Sequence, residues 1–388
     1  MFNLLEAVHK RAAPTKVRSW VDDLAQHCIA SREVVLKSSV QAAVHLAKGL
    51  QGLGCAISDK TTLLASPKDL GEEIQFALAV EGVEIPLARA ARDLGADVSL
   101  GLSRQLHTRM ARSHQALGRL DRLRRAVGTT KSARCLVFTG AAPQYSWGRA
   151  MQGTSPSELR RLRSAVGTSL CIRLRGGCLT TAFAISVGEG RDPAFALPLG
   201  LLQVWVKLWA TSVEARQATQ SYLSRMASAI TCGSSAVWNR VKGPLAGLAA
   251  TLMDMGWSFP ASGRWFDHKG SVDNPEGYQV DFGSPALGMD LISLATASLR
   301  ASIWAQAAQH YAGKGVESGA DLTSAMALIR RLERDGDSCK AGMARCILQG
   351  ACWSPQRLWD EGYEVDTVCP ACGARGWATS TESGHAPL

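Results

Sequence analysis

Trp20-Val21-Asp22-Asp23, followed along the chain by Lys60-Thr61 and by Arg92-Asp93-Leu94-Gly95, is the set of residues on which the fold reading depends. Two adjacent carboxylates at the end of a short apolar run repel and raise each other's pKa. A divalent cation relieves that repulsion, and Mg²⁺ typically takes one or two protein carboxylates together with substrate phosphates. Such carboxylates serve two-metal phosphoryl transfer. An Asp-Asp pair alone is more often a solvated turn, so the flanks carry the argument. Val17, Trp20 and Val21 precede the pair, and Leu24, Cys28 and Ile29 follow it, which reads as strand, acidic turn, strand.

A long amphipathic helix is expected next. Val40, Ala43, Val44, Ala47, Leu50 and Leu53 recur at helical spacing, and Gly52 and Gly54 supply its end. Cys55-Ala56-Ile57-Ser58 reads as a short strand leading into Lys60-Thr61-Thr62-Leu63-Leu64. Val80 to Ile85 reads as a further strand pair ahead of Ala91-Arg92-Asp93-Leu94-Gly95.

In this order the pieces resemble the last third of the palm of a reverse transcriptase, of the non-LTR retrotransposon type. That family carries an aromatic-x-Asp-Asp turn, a helix, a Gly-Leu-x-aliphatic segment ending in Lys-Thr, and a Tyr-Leu-Gly-like turn. Gly52-Leu53-Gly54-Cys55-Ala56-Ile57-Ser58-Asp59-Lys60-Thr61 matches the third piece. Asp93-Leu94-Gly95 matches the fourth with Asp in the aromatic position, and Trp20 stands where Tyr or Phe is usual. The resemblance is close over residues 16 to 101 and looser beyond.

The resemblance implies an α+β fold. A partial palm of short antiparallel strands and helices would cover 1–100, and a basic helical thumb-like domain 101–240. A helical C-terminal module would cover 241–365, and a partial Cys-x-x-Cys knuckle with a disordered tail 366–388. It also implies RNA-directed DNA polymerase chemistry with Mg²⁺ as cofactor. One ion lowers the pKa of the primer 3′-hydroxyl and the other steadies the leaving pyrophosphate. On that basis Asp22 and Asp23 would bind the metal. Lys60 would neutralise or protonate the leaving group, and Arg92 to Gly95 would position the primer. The implied partners are RNA and DNA in a primer–template duplex, with dNTPs as the small substrates and no membrane. The family's fingers, and a further metal-binding aspartate, precede the acidic turn. Only nineteen residues precede Trp20 here, and Glu6 is their sole acid. The expectation is therefore the C-terminal two-thirds of a reverse transcriptase, inactive by itself. The alternative is a non-catalytic, nucleic-acid-binding remnant of a mobile element.

Charge supports a polyanionic partner without naming it. Net charge is +10, yet residues 101 to 175 hold fifteen Lys or Arg against Asp121 and Glu158, a local balance of +13. A basic segment beside slightly acidic ones points to nucleic acid. Leu102, Leu106, Met110, Ala116, Leu117, Leu120 and Leu123 are expected to face a core from one helix. Arg104, Arg109, Arg112, Arg119, Arg122, Arg124 and Arg125 would then fill its other faces and hold phosphates without reading sequence. The other reading is a solvated helical face. Ser155-Pro156-Ser157-Glu158 has the residues of a helix start ahead of a second basic helix.

Farther on, Ala194 to Val206 is apolar but interrupted by Pro198 and Gln203, and reads as a buried helix. A turn-rich stretch around Gly256-Trp257 and Trp265-Phe266-Asp267 precedes helical patterns over Leu287 to Gly313 and Asp321 to Arg334. Eleven cysteines show no secreted-domain spacing, so most are expected as thiols in a reducing intracellular compartment, nucleus or cytoplasm. Cys369-Pro370-Ala371-Cys372-Gly373 is half of a Zn²⁺ site by spacing. His385 is the only later histidine, and Cys352 or His310 could supply a further ligand. His9, His27, His45, His107, His114 and His268 stand alone in the sequence and read as structural or surface residues.

Overall fold

The computed structural model describes residues 2–20, 23–93, 95–100, 104–230, 237–258, 265–269, 279–280, 288–368 and 373. They form a mixed α+β protein, mostly helical, with a few short antiparallel strands. The chain divides into two compact units, Met1–Thr108 and Arg109–Leu388.

The first unit runs α1 (Phe2–Arg11), β1 (Lys16–Trp20), β2 (Asp23–His27), α2 (Arg32–Gly52), α3 (Lys68–Val80), β3 (Ala90–Asp93) and β4 (Ala96–Ser99). β1 and β2 pair antiparallel, with Lys16 opposite His27 and Trp20 opposite Asp23. The strand–turn–strand reading of the acidic stretch therefore holds at both described flanks. α1 packs on α2 through Val8, Ala12 and Ala42. α2 packs on α3 through Ala47, Leu70, Ile74 and Leu78.

Two strand expectations are corrected here. α2 ends where Gly54 takes a left-handed φ of +78°. The Cys55 N–H then returns to Leu50 O at 2.9 Å, and Thr61 N–H to Ser58 O at 3.0 Å. Cys55 to Ser58 is consequently irregular chain leaving the end of the helix, and belongs to no strand. Val80 closes α3, because Leu70, Ile74 and Leu78 put a helical period through the segment. Gly82, at φ +78°, ends that helix, with Val83 N–H bonded to Leu78 O at 2.9 Å.

The second unit continues from α4 (His107–Thr129), whose first two residues belong to unit one. It then runs α5 (Ala142–Ser146), α6 (Arg149–Gln152), α7 (Pro156–Ser169), α8 (Leu179–Ser186), α9 (Pro193–Thr211) and α10 (Val213–Ile230). α11 (Pro244–Asp254), β5 (Trp265–Phe266), β6 (Gln279–Val280), α12 (Gly288–Ala308), α13 (Thr323–Arg334), α14 (Ser338–Leu348) and α15 (Pro355–Asp360) complete it. From Arg109 onward, the segments expected as thumb-like and C-terminal modules share this unit. α9 contributes Leu201, Leu202, Trp205 and Trp209 to a core completed by Leu248 and Leu252 of α11 and Leu291 and Ala295 of α12. Asp192 starts α9, its carboxylate accepting from Ala194 N–H at 2.9 Å. Among the described residues α9 alone is long and apolar enough to cross a membrane, and its inner face is buried in this core.

A second cluster joins Ala116 and Leu120 of α4 to Val137, Tyr145, Leu162, Val166 and Phe183. Arg357 anchors the far end of the chain. Its guanidinium lies 4.4 Å from the Trp353 ring centre and 4.7 Å from that of Tyr311. It donates to Gly350 O at 2.9 Å and to Gly176 O at 3.2 Å.

Candidate nucleic-acid interface

Each hairpin positions one part of the expected site. Asp23 is exposed at the start of β2, opposite Trp20. Asp22 lies outside the described residues. Lys60 is exposed in the turn after α2, where its backbone N–H is held by Ser58 Oγ at 3.2 Å. Arg92 is exposed on β3, opposite Asp97 of β4, and Gly95 makes the turn with φ +76°. A side chain at Gly95 would meet the backbone strain of the left-handed region. Among the described residues the two hairpins are separate two-stranded sheets.

The donor chemistry at the first hairpin suits Mg²⁺, since carboxylate oxygens are the hard ligands it prefers. Among the described residues no three His, Cys, Asp or Glu side chains stand together as a metal-binding group. Cys369 and Cys372, expected as the zinc half-site, lie outside the described residues, as do His385 and the expected disordered tail.

The arginines of α4 separate into classes. Arg109 is buried, which corrects its assignment as an exposed phosphate contact. Its Nη2 donates to both Glu158 oxygens, at 2.7 and 2.6 Å, and its Nη1 donates to Gly153 O at 2.6 Å. The inward stripe of α4 is Arg109, Ser113, Ala116, Leu120 and Val127, and Met110 points outward instead. The spacing of 109, 113, 116 and 120 is itself helical, so the register was present in the sequence. Arginine in an otherwise small and apolar stripe was the overlooked signal.

Arg104 is half-buried. Arg112 lies over the exposed ring of Trp147, 5.8 Å from its centre. Arg119 donates to Gly140 O at 2.9 Å while remaining exposed. Arg122, Arg124 and Arg125 are exposed, and so are Arg160 and Arg161 on α7 and Arg173 and Arg175 beyond it. Those on α4 and α7 are carried on helices that pack together through Ala116, Leu120, Leu162 and Val166.

α4, α6 and α7 also share a buried polar network. Arg149 of α6 is buried, donates to Ser113 Oγ at 3.0 Å and to the Tyr145 carbonyl, and lies 3.7 Å from Glu158. Glu158 also closes a capping box with Ser155, whose N–H it accepts at 3.2 Å. Burial alone would raise the Glu158 pKa, but Arg109 and Arg149 overcome it and hold the carboxyl below its usual range. Asp192 shows the opposite balance. It pairs with Arg163 at 2.6 Å, yet burial outweighs the pair and raises its pKa.

The structure and site define a two-unit, mostly helical protein with exposed arginines on α4 and α7. No family model, curated protein or solved structure matches this chain.

Proposed function

We propose that this chain is of the reverse-transcriptase lineage and holds an RNA–DNA primer–template duplex against the exposed arginines of α4 and α7. The observation that carries the reading is the ordered arrangement: hairpin β1–β2 with Asp23, helix α2, a turn presenting Lys60, helix α3, hairpin β3–β4, then the arginine-rich helix α4. Asp22 and Asp23 would hold Mg²⁺, which lowers the pKa of the attacking hydroxyl and stabilises charge on the leaving group. Lys60 would set a positive charge beside the departing pyrophosphate. Arg92 and the Gly95 turn would align the primer end. Arg122, Arg124 and Arg125 would bind phosphates and leave sequence unread.

RNA-templated primer extension with Mg²⁺, run with and without a chain that supplies polymerase fingers in trans, tests the catalytic part. Extension abolished by Asp22→Asn and by Asp23→Asn supports it, and extension that survives both substitutions removes this site from the account. A second reading is a non-catalytic nucleic-acid binder. It is favoured by the separation of the two hairpins into independent sheets, whereas the arginine face of α4 requires neither. Salt-dependent duplex binding without extension selects that second reading. Affinity indifferent to salt sinks both.

A further inference from the structure

α14 ends at Leu348, and the chain reverses through Gly350 in a left-handed conformation, φ +63°. Gly350 N–H donates to Ile347 O at 2.9 Å, and Ala351 N–H reaches back to Cys346 O at 3.0 Å. That reversal lays Cys352 against the last turn of the helix, with its Sγ 3.8 Å from Sγ of Cys346. The corner is held from both sides. Gln349 O accepts Cys178 N–H at 2.6 Å, and Gly350 O accepts from Arg357. A Cβ on Gly350 would fall 2.6 Å from Ala312 O, so the reversal has little room to relax. Cys346 and Cys352 are each half-buried, whereas Cys55, Cys135, Cys171 and Cys339 are exposed.

From this geometry we infer that Cys346 and Cys352 form a modification site, closing reversibly into an intrachain disulfide when the protein meets a peroxide. One sulfur, as its thiolate, attacks a peroxide oxygen. The O–O bond breaks, a sulfenic acid forms, and the departing hydroxide takes a proton to leave as water. The second sulfur attacks the sulfenic sulfur, the S–O bond breaks, and a second water leaves as the S–S bond forms. The two sulfurs together lose two electrons and the peroxide oxygens gain them. A disulfide needs its sulfurs at about 2.05 Å, and the two Sγ atoms start 3.8 Å apart on a corner whose ends are already tied together. Holding both groups in place makes the second step effectively unimolecular and gives the pair its advantage over the exposed cysteines.

The test uses the fully reduced, full-length chain, treated with hydrogen peroxide, alkylated and digested with trypsin. Cleavage after Arg345 and Arg357 releases both cysteines in one peptide, Cys346–Arg357. The expected result is that this peptide becomes two hydrogen atoms lighter and loses both alkylation sites before Cys339 is modified, with dithiothreitol restoring both. Cys352→Ser and, separately, Cys346→Ser should abolish the mass change while the remaining cysteine still takes alkylating reagent after reduction. A peptide that stays doubly alkylated while exposed cysteines oxidise overturns the inference. So does protection of the two thiols in the untreated chain that is lifted by a zinc chelator, because the pair would then be serving a metal.

Discussion

Glu158 is the residue whose removal should matter most to the second unit. Its carboxylate faces two buried guanidiniums, those of Arg109 and Arg149. Glu158→Gln keeps the shape and removes the charge, leaving both cations buried without their counter-charge. Such a change costs on the order of 3 kcal/mol, less whatever solvent recovers at the partly exposed rim. The loss should appear as a lower urea midpoint with an unchanged slope. Glu158 also carries a pH signature. Its folded pKa is depressed, so its contribution is full above its unfolded value, near pH ~4.3, and fades as pH falls through the lower folded value. The acid limb of the stability curve should therefore flatten in Glu158→Gln. Tyr145 titrates at the other end, burial pushing its phenol up to about 12. The folded state keeps that phenol neutral, so stability falls as pH rises from the ordinary tyrosine value of ~10 towards 12. Phenolate absorbance should show one of the five tyrosines ionising late or only on unfolding.

At the scale of elements, α6 and α11 approach closely through two glycines. A Cβ on Gly247 would lie 2.8 Å from the Gln152 carbonyl carbon and 2.9 Å from Gly153 N. Both are backbone atoms, so neither can rotate aside. Gly247→Ala should cost about 1–3 kcal/mol of overpacking, measured by denaturant or thermal unfolding. The elements also show what the sequence made legible. The β1–β2 hairpin and helix α2 were readable, because apolar spacing and flanking turn residues agreed there. Cys55 to Ser58 looked like a strand because aliphatic residues surround it. The Cys55 N–H instead returns to Leu50 O at the end of α2, and nothing in a local pattern forecasts that. In α4, composition suggested that every arginine faced water. Only the register with Ser113, Ala116 and Leu120 distinguishes Arg109 from Arg122, and a buried arginine becomes visible only with Glu158 opposite, forty-nine residues later.

The whole molecule is described by its charge and its long-range closures. If the arginine face grips a duplex, log affinity should fall linearly with log salt, by about 0.9 per phosphate contact on double-stranded DNA. Replacing Arg122, Arg124 and Arg125 together by alanine should lower that slope by up to about 3 while leaving the melting transition intact. Arg109→Ala should behave oppositely, destabilising the fold before any effect on the slope can be read. Filter binding at several salt concentrations, beside circular-dichroism melts, separates the two behaviours.

The Arg357 clamp gives the second unit a timetable. Gly176 and the guanidinium that holds its carbonyl are separated by 181 residues. At about 5–20 residues per second, a ribosome needs roughly 10–40 s to make that interval. During that time the turn around Gly176 exists without its partner, while α7, α8 and the α4 cluster can already assemble. The nascent chain therefore matures in two stages. The helices around Leu120 and Phe183 can set early, and the Trp353–Arg357–Tyr311 stack seals the unit only once residue 357 has been made. A ribosome pausing beyond Arg175 would extend the first stage, which pulse-labelling with protease challenge would reveal as a lengthened window of cleavage near that turn.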